Sequence, residues 1–176
     1  MTAAESVHHA SGGTQRYTIV DSPMGALTLV RDDIGLTGLY LPTGRHPLRI
    51  DPAWVRAASG FDEVRRELAE YFAGERQQFT LALHPLGTSF QQLVWRHLRQ
   101  IGYAETSSYG RLAAQIGSPD AARAVGLANG RNPISIVVPC HRVIGADGSL
   151  TGYGGGLEAK RWLLAHEARH AGLTLL

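Results

Sequence analysis

Cysteine is almost missing from the 176-residue sequence, in which Cys140 is the only one. A single cysteine excludes an internal disulfide and any zinc site made of several cysteines, and we expect neither a metal nor a cofactor. It leaves one free thiol, which a reducing compartment would keep available. Residues 1–16 are polar and lack the apolar stretch of a signal peptide, so we expect a cytoplasmic protein with a disordered N-terminal tail.

Long apolar runs are missing as well. The longest, 134–139 and 162–165, fall far short of the roughly 20 apolar residues that a transmembrane helix needs. A membrane role is therefore not expected. Hydrophobic residues nevertheless make up 44% of the chain, which suffices for a buried core in one compact unit or in two small domains.

Lysine is scarce, with one residue beside 16 arginines, and the formal net charge is only +2. The charge is unevenly distributed, since residues 1–86 carry a formal charge of −2 and residues 87–176 carry +4. An asymmetry of this kind suggests that the C-terminal half faces a nucleic acid.

The N-terminal half contains three short β-rich runs separated by turn-forming residues: 17–20, 26–31 and 36–41. They predict an antiparallel meander. Apolar residues then recur at helical spacing from Phe61 onwards, until Gly74 supplies a stop. We therefore predict a small α+β domain over 17–86.

The C-terminal half carries helix signals instead. Ser89 and Gln92 have capping-box spacing at the start of an apolar-striped helix. Ser107 or Ser108 can cap the next helix, and a Ser-Pro pair opens a third helix over 119–129. Two short helices joined by a tight turn are typical of a helix-turn-helix.

A glycine inside the helix over 119–129 needs an explanation, because it costs about 1 kcal/mol relative to alanine. Gly126 shares a face with Arg123 and Leu127. Either Gly126 permits close packing against a neighbouring helix, or this face must approach a DNA backbone closely, with Arg123 as the probing side chain.

The segment around Cys140 is predicted to be extended. An apolar run, 134–138, predicts a buried strand that ends at a proline and delivers Cys140 at its end. A second strand, 142–144, is predicted to pair with 150–151 across an Asp-Gly turn. This hairpin would form a wing beside the helix-turn-helix.

A lone cysteine is commonly a small buried hydrophobe, but the neighbours of Cys140 favour a nucleophile. His141 and Arg142 follow it directly, and an electropositive environment favours the thiolate. His141 could act on the thiol through one water. Asn132, which precedes a proline, either belongs to a turn or ties that turn to the segment carrying Cys140.

A carboxylate could complete a relay with His141. Glu167 shares a stripe with the apolar face of the last helix, 157–170, and a carboxylate there needs a partner. The alternative is a partly exposed Glu167 that pairs with one of the nearby basic residues: Lys160, Arg169 and His170.

The run from Ile134 to Ile144 resembles the active-site signature of the O6-alkylguanine-DNA alkyltransferases. The resemblance is strong over 87–168 and weaker over 17–86. Further matching segments follow in the family's order and approximate spacing: Phe90-Gln91-Gln92, Val94-Trp95, Tyr103, Ser108-Tyr109-Gly110, Ala122 to Gly126, Asn129, Asn132-Pro133, Tyr153 to Leu157 and Leu163 to Glu167.

The resemblance implies an α+β fold with two domains. The first, over 17–86, would be a ribonuclease-H-like domain of sheet and helix. The second, over 87–176, would be a mostly helical, winged-helix-like domain that binds DNA in the minor groove.

The resemblance also implies roles for individual residues. Cys140 would accept the alkyl group, His141 would be the water-linked base, Glu167 would orient His141, and Asn132 would stabilise the active-site turn.

Other residues would contact the base and the duplex. Tyr109 would help to extrude and recognise the guanine, and Arg123 would fill the vacated place in the base stack. Gly126 is a candidate DNA-binding residue beside Arg123 if its face approaches the DNA backbone. The pocket would be lined by Tyr153, Gly154 and Gly155.

The implied activity is that of a single-turnover methylated-DNA-protein-cysteine methyltransferase acting on double-stranded DNA that contains O6-alkylguanine. O4-alkylthymine is a second candidate substrate, and we expect a monomer that could bind DNA cooperatively. A thiolate cannot reach the alkyl carbon within the duplex, so the base must flip out. The thioether product has no built-in regeneration step, so one molecule repairs one base.

Two positions depart from some family members. Gly154 stands where some have a serine, which removes a hydroxyl contact, and Asn129 replaces a large apolar residue above the pocket. These departures leave the tolerated size of the alkyl group open.

Three other functions fit these residues less well. A non-catalytic alkylated-base-binding protein would lack the acceptor that Cys140 supplies. A thiol hydrolase would not explain a helix-turn-helix carrying Arg123. A transcriptional sensor would need an N-terminal metal-binding domain, which 16 polar residues cannot supply.

Overall fold

The computed structural model describes residues 13–44 and 48–173. Its N-terminal part forms a four-stranded sheet with the order β3-β2-β1-β4. The strands are β1 (Arg16–Val20), β2 (Leu27–Arg31), β3 (Leu36–Tyr40) and β4 (Val55–Arg56). The first three pair antiparallel, which confirms the predicted meander, and β4 pairs parallel with β1.

The predicted tail, 1–16, lies mostly outside the described residues. Of its last four positions, which are described, Arg16 already belongs to β1.

Helix α1 (Asp62–Phe72) follows the sheet, and its apolar stripe is buried in the same core as β2 and β3. The helix stops where the sequence predicts, because Gly74 adopts a φ of +78° that favours glycine.

Helix α2 (Ser89–Leu98) has its capping box one position earlier than predicted. Thr88 accepts a hydrogen bond from the Gln91 backbone N–H, and the Gln91 side chain accepts one from the Thr88 N–H. Gln92 donates instead to the carbonyl of Pro85. The prediction of Ser89 as the cap is therefore wrong by one residue, because a threonine at 88 supplies the same chemistry.

The helix-turn-helix is present as α3 (Tyr109–Gln115) and α4 (Ala122–Gly130). Ser108 caps α3 by accepting the Arg111 N–H at 3.1 Å. The helix predicted over 119–129 is divided, since Pro119–Ala121 form a short 3-10 turn before α4 begins. Both helices pack against α2.

The strand predicted over 134–138 is not formed. Ile134 makes only an isolated bridge to Leu39, Ile136 has a φ of +72°, and the Val138 N–H donates back to the Ile134 carbonyl at 3.0 Å. The run folds into consecutive turns whose apolar side chains are buried in the core. Its hydrophobicity therefore reflects burial beside β3 rather than membership of a sheet.

The predicted wing hairpin is also wrong in its pairing. Strand β6 (Val143–Ile144) pairs in parallel with β5 (Ser107–Ser108). The Asp-Gly turn does form, with the Gly145 N–H donating to the Ser149 carbonyl at 2.8 Å, but 150–151 is not a strand. Instead of pairing with a strand, the backbone carbonyl of Thr151 accepts hydrogen bonds from the side chains of Tyr109 and Lys160.

The last helix, α5 (Leu157–His170), has the predicted bounds. Backbone hydrogen bonds join the N-terminal sheet to the segment before Cys140: the Leu39 N–H donates to the Pro133 carbonyl, and the Ser135 N–H donates to the Leu39 carbonyl. In the described part of the chain, every helix is too short or too polar to cross a bilayer.

Candidate active site around Cys140

Cys140 begins a single 3-10 turn, Cys140–Arg142, and its side chain is almost fully buried. Asn132 binds this turn and the segment before it, because its Nδ2 lies 3.0 Å from Cys140 Sγ and 2.8 Å from the Val138 carbonyl. Its Oδ1 accepts the Ile134 N–H at 3.0 Å. The structure therefore places Asn132 as a clamp on the segment that carries the thiol.

His141 and Glu167 lie together in the interior, and neither side chain is exposed. His141 Nε2 lies 2.7 Å from Glu167 Oε1. Arg142 donates to both oxygens of the same carboxylate at 2.9 Å. The alternative in which Glu167 is partly exposed and pairs with Lys160, Arg169 or His170 is therefore wrong.

Glu167 is an ionised carboxylate. Burial alone would raise its pKa, but the hydrogen bonds of His141 and Arg142 and the positive charge of Arg142 hold the pKa well below its ordinary value. The backbone N–H of Ala104 adds a further donor at 3.1 Å. Glu167 therefore serves as a fixed acceptor rather than as a proton carrier.

His141 is neutral, because burial lowers its pKa more than Glu167 raises it. With Nε2 facing a carboxylate oxygen, we assign the proton to Nε2. Nδ1 is buried and has no hydrogen-bond partner within the described residues, so it is available as an acceptor.

Cys140 carries a protonated thiol at rest, contrary to the expectation from its basic neighbours. Burial raises its pKa to about 11, although the Asn132 hydrogen bond and the charge of Lys160 act in the opposite direction. Arg142 does not help, because its guanidinium is committed to Glu167. The thiolate must therefore be generated by a base during the reaction.

A cleft of about 500 Å³ opens between α4 and the loop that precedes α5. Its walls are formed by a set of aromatic, glycine and flanking residues: Tyr109, Gly126, Leu127, Gly130, Arg131, Thr151, Gly152, Tyr153 and Gly154. A second cavity of about 220 Å³ shares Gly130, Arg131 and Gly154 with the cleft and extends to Asn132. The two cavities together lead from the surface towards the residue that binds Cys140 Sγ.

The glycines of this cleft differ in how much room they leave. A Cβ on Gly126 would meet only the Tyr109 ring, at an ordinary contact distance of 3.6 Å. Close helix packing therefore does not require this glycine. A Cβ on Gly155 would lie 2.5 Å from Leu41 and 2.6 Å from the Tyr153 ring, so no side chain fits there.

Two models of the same protein family match the chain. They describe the DNA binding domain of 6-O-methylguanine DNA methyltransferase, over residues 89–169, and its ribonuclease-like domain, over residues 15–85. The chain belongs to the 6-O-methylguanine DNA methyltransferase family. The fold class predicted from the sequence, an N-terminal sheet-and-helix domain followed by a mostly helical DNA-binding domain, is confirmed.

Individual relatives cover nearly the whole chain. The methylated-DNA-protein-cysteine methyltransferase of Mycolicibacterium paratuberculosis is 54% identical over 90% of this chain and 97% of its own length. That of Methanosarcina acetivorans is 49% identical over 86% and 97%. The crystal structure of Mycobacterium tuberculosis OGT in complex with DNA matches with a TM-score of 0.83 at 50% identity, over 88% of this chain and 94% of that one.

In this methyltransferase-family chain, the predicted residues fall into two groups. Asn132 is bonded to Cys140 and His141 to Glu167, and the two pairs are neighbours through the Cys140–His141 peptide bond. All four side chains are buried except Asn132, which is half-buried. The second group, Tyr109, Gly126, Tyr153 and Gly154, lines the cleft, with Gly155 lining the adjoining cavity. Arg123 stands apart from both groups, exposed on α4.

Lys160 was not predicted as a site residue and was expected only as a partner for Glu167. Lys160 is completely buried, and its Nζ donates to the Val143 and Thr151 carbonyls at 2.5 and 2.8 Å. Burial lowers its pKa to about 8. A signal was present, since Lys160 shares a helical stripe with Leu163 and Glu167.

Proposed function

We propose that this protein repairs O6-alkylguanine in double-stranded DNA by transferring the alkyl group irreversibly to Cys140, once per molecule. The observation that carries the proposal is the buried Cys140 thiol, which Asn132 binds and which is followed directly in the chain by His141, the hydrogen-bond partner of Glu167. Cavities beside α4 extend to Asn132. Relatives with about half of their residues identical are named for methyl transfer from DNA to a protein cysteine.

The proposed reaction is a displacement at the alkyl carbon. The Cys140 S–H proton passes to His141 Nδ1 through one water, and the sulfur attacks the alkyl carbon. The S–C bond forms as the C–O6 bond breaks, and the electron pair remains on the guanine. The guanine then takes up the proton that the thiol released, so the products are an S-alkylcysteine and an unmodified base.

Glu167 holds His141 in the reactive tautomer. Glu167 stays ionised and accepts a hydrogen bond from the protonated Nε2, so Nδ1 carries no proton. The carboxylate also stabilises the imidazolium that forms during the transfer. Asn132 holds Sγ and the turn that precedes it in place.

The duplex would be bound by α4 and the walls of the cleft. Arg123 is exposed and forms no ion pair or hydrogen bond with any described residue, so it is free to enter the base stack in place of the flipped nucleotide. Tyr109 stands beside Gly126 at the cleft wall, and Tyr153, Gly154 and Gly155 would contact the flipped base. We propose approach from the minor groove by a cytoplasmic monomer.

A protein that binds alkylated bases without repairing them is a weaker alternative. Such a protein needs the cleft and α4 but gains nothing from a cysteine joined to a buried base and carboxylate. The buried cluster around Cys140 therefore favours alkyl transfer.

The experiment mixes equimolar protein with a duplex that contains one O6-methylguanine and identifies the modified peptide by mass spectrometry. We expect one methyl group per protein, on the peptide that contains Cys140, and an unmodified guanine in the DNA. Cys140→Ala is the control and should bind the duplex without removing the methyl group. Methylation elsewhere in the protein, or repeated turnovers per molecule, would overturn the proposal.

A further inference from the structure

Tyr71 connects the N-terminal domain to the buried cluster. It lies in the last turn of α1, it is completely buried, and its hydroxyl donates to Glu167 Oε1 at 2.8 Å. This is the same oxygen that accepts His141 Nε2 at 2.7 Å and Arg142 Nη2 at 2.9 Å. One carboxylate oxygen is therefore shared by three donors, one from α1 and two from the 3-10 turn.

The ring of Tyr71 is fixed independently of this hydrogen bond. It packs against Phe79 and His166, with ring centroids 5.4 and 5.3 Å away, and against Tyr103 at 6.2 Å. Its backbone carbonyl accepts a hydrogen bond from His166 Nε2 at 2.9 Å. The hydroxyl is therefore held in place by packing and does not depend on Glu167 for its position.

The hydroxyl of Tyr71 is a permanent donor. Burial, reinforced by the negative charge of Glu167, raises its pKa well above the ordinary value. Because hydrogen bonds to one oxygen compete for its charge, the Tyr71 hydroxyl weakens the pull of Oε1 on the His141 proton.

We propose that Tyr71 is a positioning residue of the transfer reaction, which shares Glu167 Oε1 with His141 and thereby sets how readily His141 takes up the thiol proton. The inference rests on the proposed role of His141 as the base. It makes the N-terminal ribonuclease-like domain a contributor to the chemistry rather than only a support for the DNA-binding domain.

Several other charged and titratable groups face this pair. The positive charges of Arg142 and Lys160 also act on His141, and Cys140 is its immediate neighbour in the chain. Glu167 is faced by Arg142, by Tyr103 and by His166 on its own helix. All of them remain when the Tyr71 hydroxyl is removed, so a change in behaviour reports on that hydroxyl.

The test compares Tyr71→Phe with Tyr103→Phe in the full-length protein. Phenylalanine keeps each aromatic ring and removes one hydroxyl. The Tyr103 hydroxyl is buried in the same cluster but forms no hydrogen bond with any described residue, which makes it the matched control. The measurement is the single-turnover rate of methyl transfer from an O6-methylguanine duplex as a function of pH.

The direction of the shift follows from the charges. Neutral His141 is the base, so the rate falls when pH drops below the pKa of His141. Without the Tyr71 hydroxyl, Glu167 Oε1 stabilises the imidazolium more strongly, and the pKa of His141 rises. We expect the acid limb of the pH–rate profile of Tyr71→Phe to move to higher pH by about half to one unit, as the loss of one hydrogen bond to a carboxylate predicts. The limb of Tyr103→Phe should stay in place.

A purely structural role would lower the melting temperature of Tyr71→Phe without moving its pH profile, and that result would overturn the inference. An equal shift in Tyr103→Phe would overturn it too. If Tyr71→Phe does not fold, fluorotyrosine at position 71 keeps the ring and the hydroxyl and is a stronger donor. It should move the acid limb to lower pH, and an unmoved limb would again contradict the inference.

A third variant separates this inference from the proposed function. His141→Gln removes the base, so it should slow methyl transfer strongly at every pH. If His141→Gln transfers methyl at the wild-type rate, His141 is not the base. The proposed role of Tyr71 is then wrong as well. If His141→Gln is slow and the Tyr71→Phe profile is unchanged, only the inference about Tyr71 fails.

Discussion

Asn132 shows how much of the site depends on a single amide. Its Nδ2 donates towards Cys140 Sγ and the Val138 carbonyl, while its Oδ1 accepts the Ile134 N–H. One side chain therefore closes the turns that replace the predicted strand and holds the nucleophile. A residue with this arrangement should affect both folding and chemistry.

We predict that Asn132→Asp destabilises the protein by about 1–3 kcal/mol, because the carboxylate can still accept the Ile134 N–H but cannot donate to Val138 or Cys140. The negative charge would also oppose formation of the thiolate. Methyl transfer should slow by about tenfold or more, since the sulfur loses its fixed position. Urea unfolding and single-turnover kinetics measure the two effects. A stable variant with the wild-type rate would contradict this role.

At the scale of the element, α4 has two faces with different tasks. On the inner side, the Ala128 carbonyl accepts the Trp95 indole N–H at 2.9 Å, and Asn129 donates to the Cys140 carbonyl at 3.4 Å. On the outer side, Arg123 and Leu127 are exposed. The same short helix therefore contacts the cysteine segment and presents the surface that we assign to DNA.

Gly126→Ala should weaken DNA binding without disturbing the contacts of α4 with the rest of the protein. The new Cβ meets only the Tyr109 ring at 3.6 Å, so the fold accepts it, and the gain in helix propensity should raise stability by up to about 1 kcal/mol. Affinity for duplex DNA should fall by about tenfold, because the added methyl group blocks close approach of the backbone.

Thermal unfolding and a duplex-binding titration measure the two changes. Gly110→Ala on α3 is the matched control, because a Cβ there is equally free of clashes, with nothing within 4 Å, and the position lies outside the cleft lining. Unchanged DNA affinity in Gly126→Ala would show that this glycine does not face the duplex.

The helices and the N-terminal meander could be predicted from the sequence, but the two-residue strands and the turns before Cys140 could not. Helix ends depend on local signals, such as the serine that caps α3 and the glycine that follows α1. The apolar run 134–138 had the composition of a strand, but periodicity cannot distinguish a strand from buried turns. The partner of β6 is β5, more than 30 residues earlier in the chain, and no local sequence pattern indicates such a pairing.

At the scale of the whole molecule, Glu167 is the point where distant parts of the chain meet. Its carboxylate accepts bonds from α1 through Tyr71, from the loop after α2 through Ala104, and from the 3-10 turn through His141 and Arg142. Both domains therefore contribute to one buried anion, and its ionisation should couple to the stability of the entire fold.

We predict that stability falls with acidification because of this residue. The folded protein holds the pKa of Glu167 well below the ordinary 4.5, so below that pH the unfolded chain binds a proton that the folded chain does not. The stabilisation is thus present above pH 4.5 and is lost as pH falls towards the folded pKa. Urea unfolding measured from about pH 6 to 3 should show this slope.

Glu167→Gln should be less stable at neutral pH by about 3–5 kcal/mol, because it leaves buried Arg142 without its counter-charge, but its stability should depend less on pH. Glu63→Gln, at an exposed position on α1, should keep the wild-type slope. Equal slopes in all three proteins would exclude Glu167 as the source.

The sequence by itself determined the candidate acceptor and which segments are helices, because an unpaired cysteine with its flanking motif, caps and stop glycines act over a few residues. Only the tertiary structure decided the state of that thiol and the partners of Glu167. Those depend on burial and on contacts such as Tyr71 with Glu167, 96 residues apart. The expected pairing of His141 with Glu167 is present. Arg142, expected to make the surroundings of the sulfur electropositive, binds that carboxylate instead, because a buried anion needs hydrogen-bond donors more than a buried neutral thiol does.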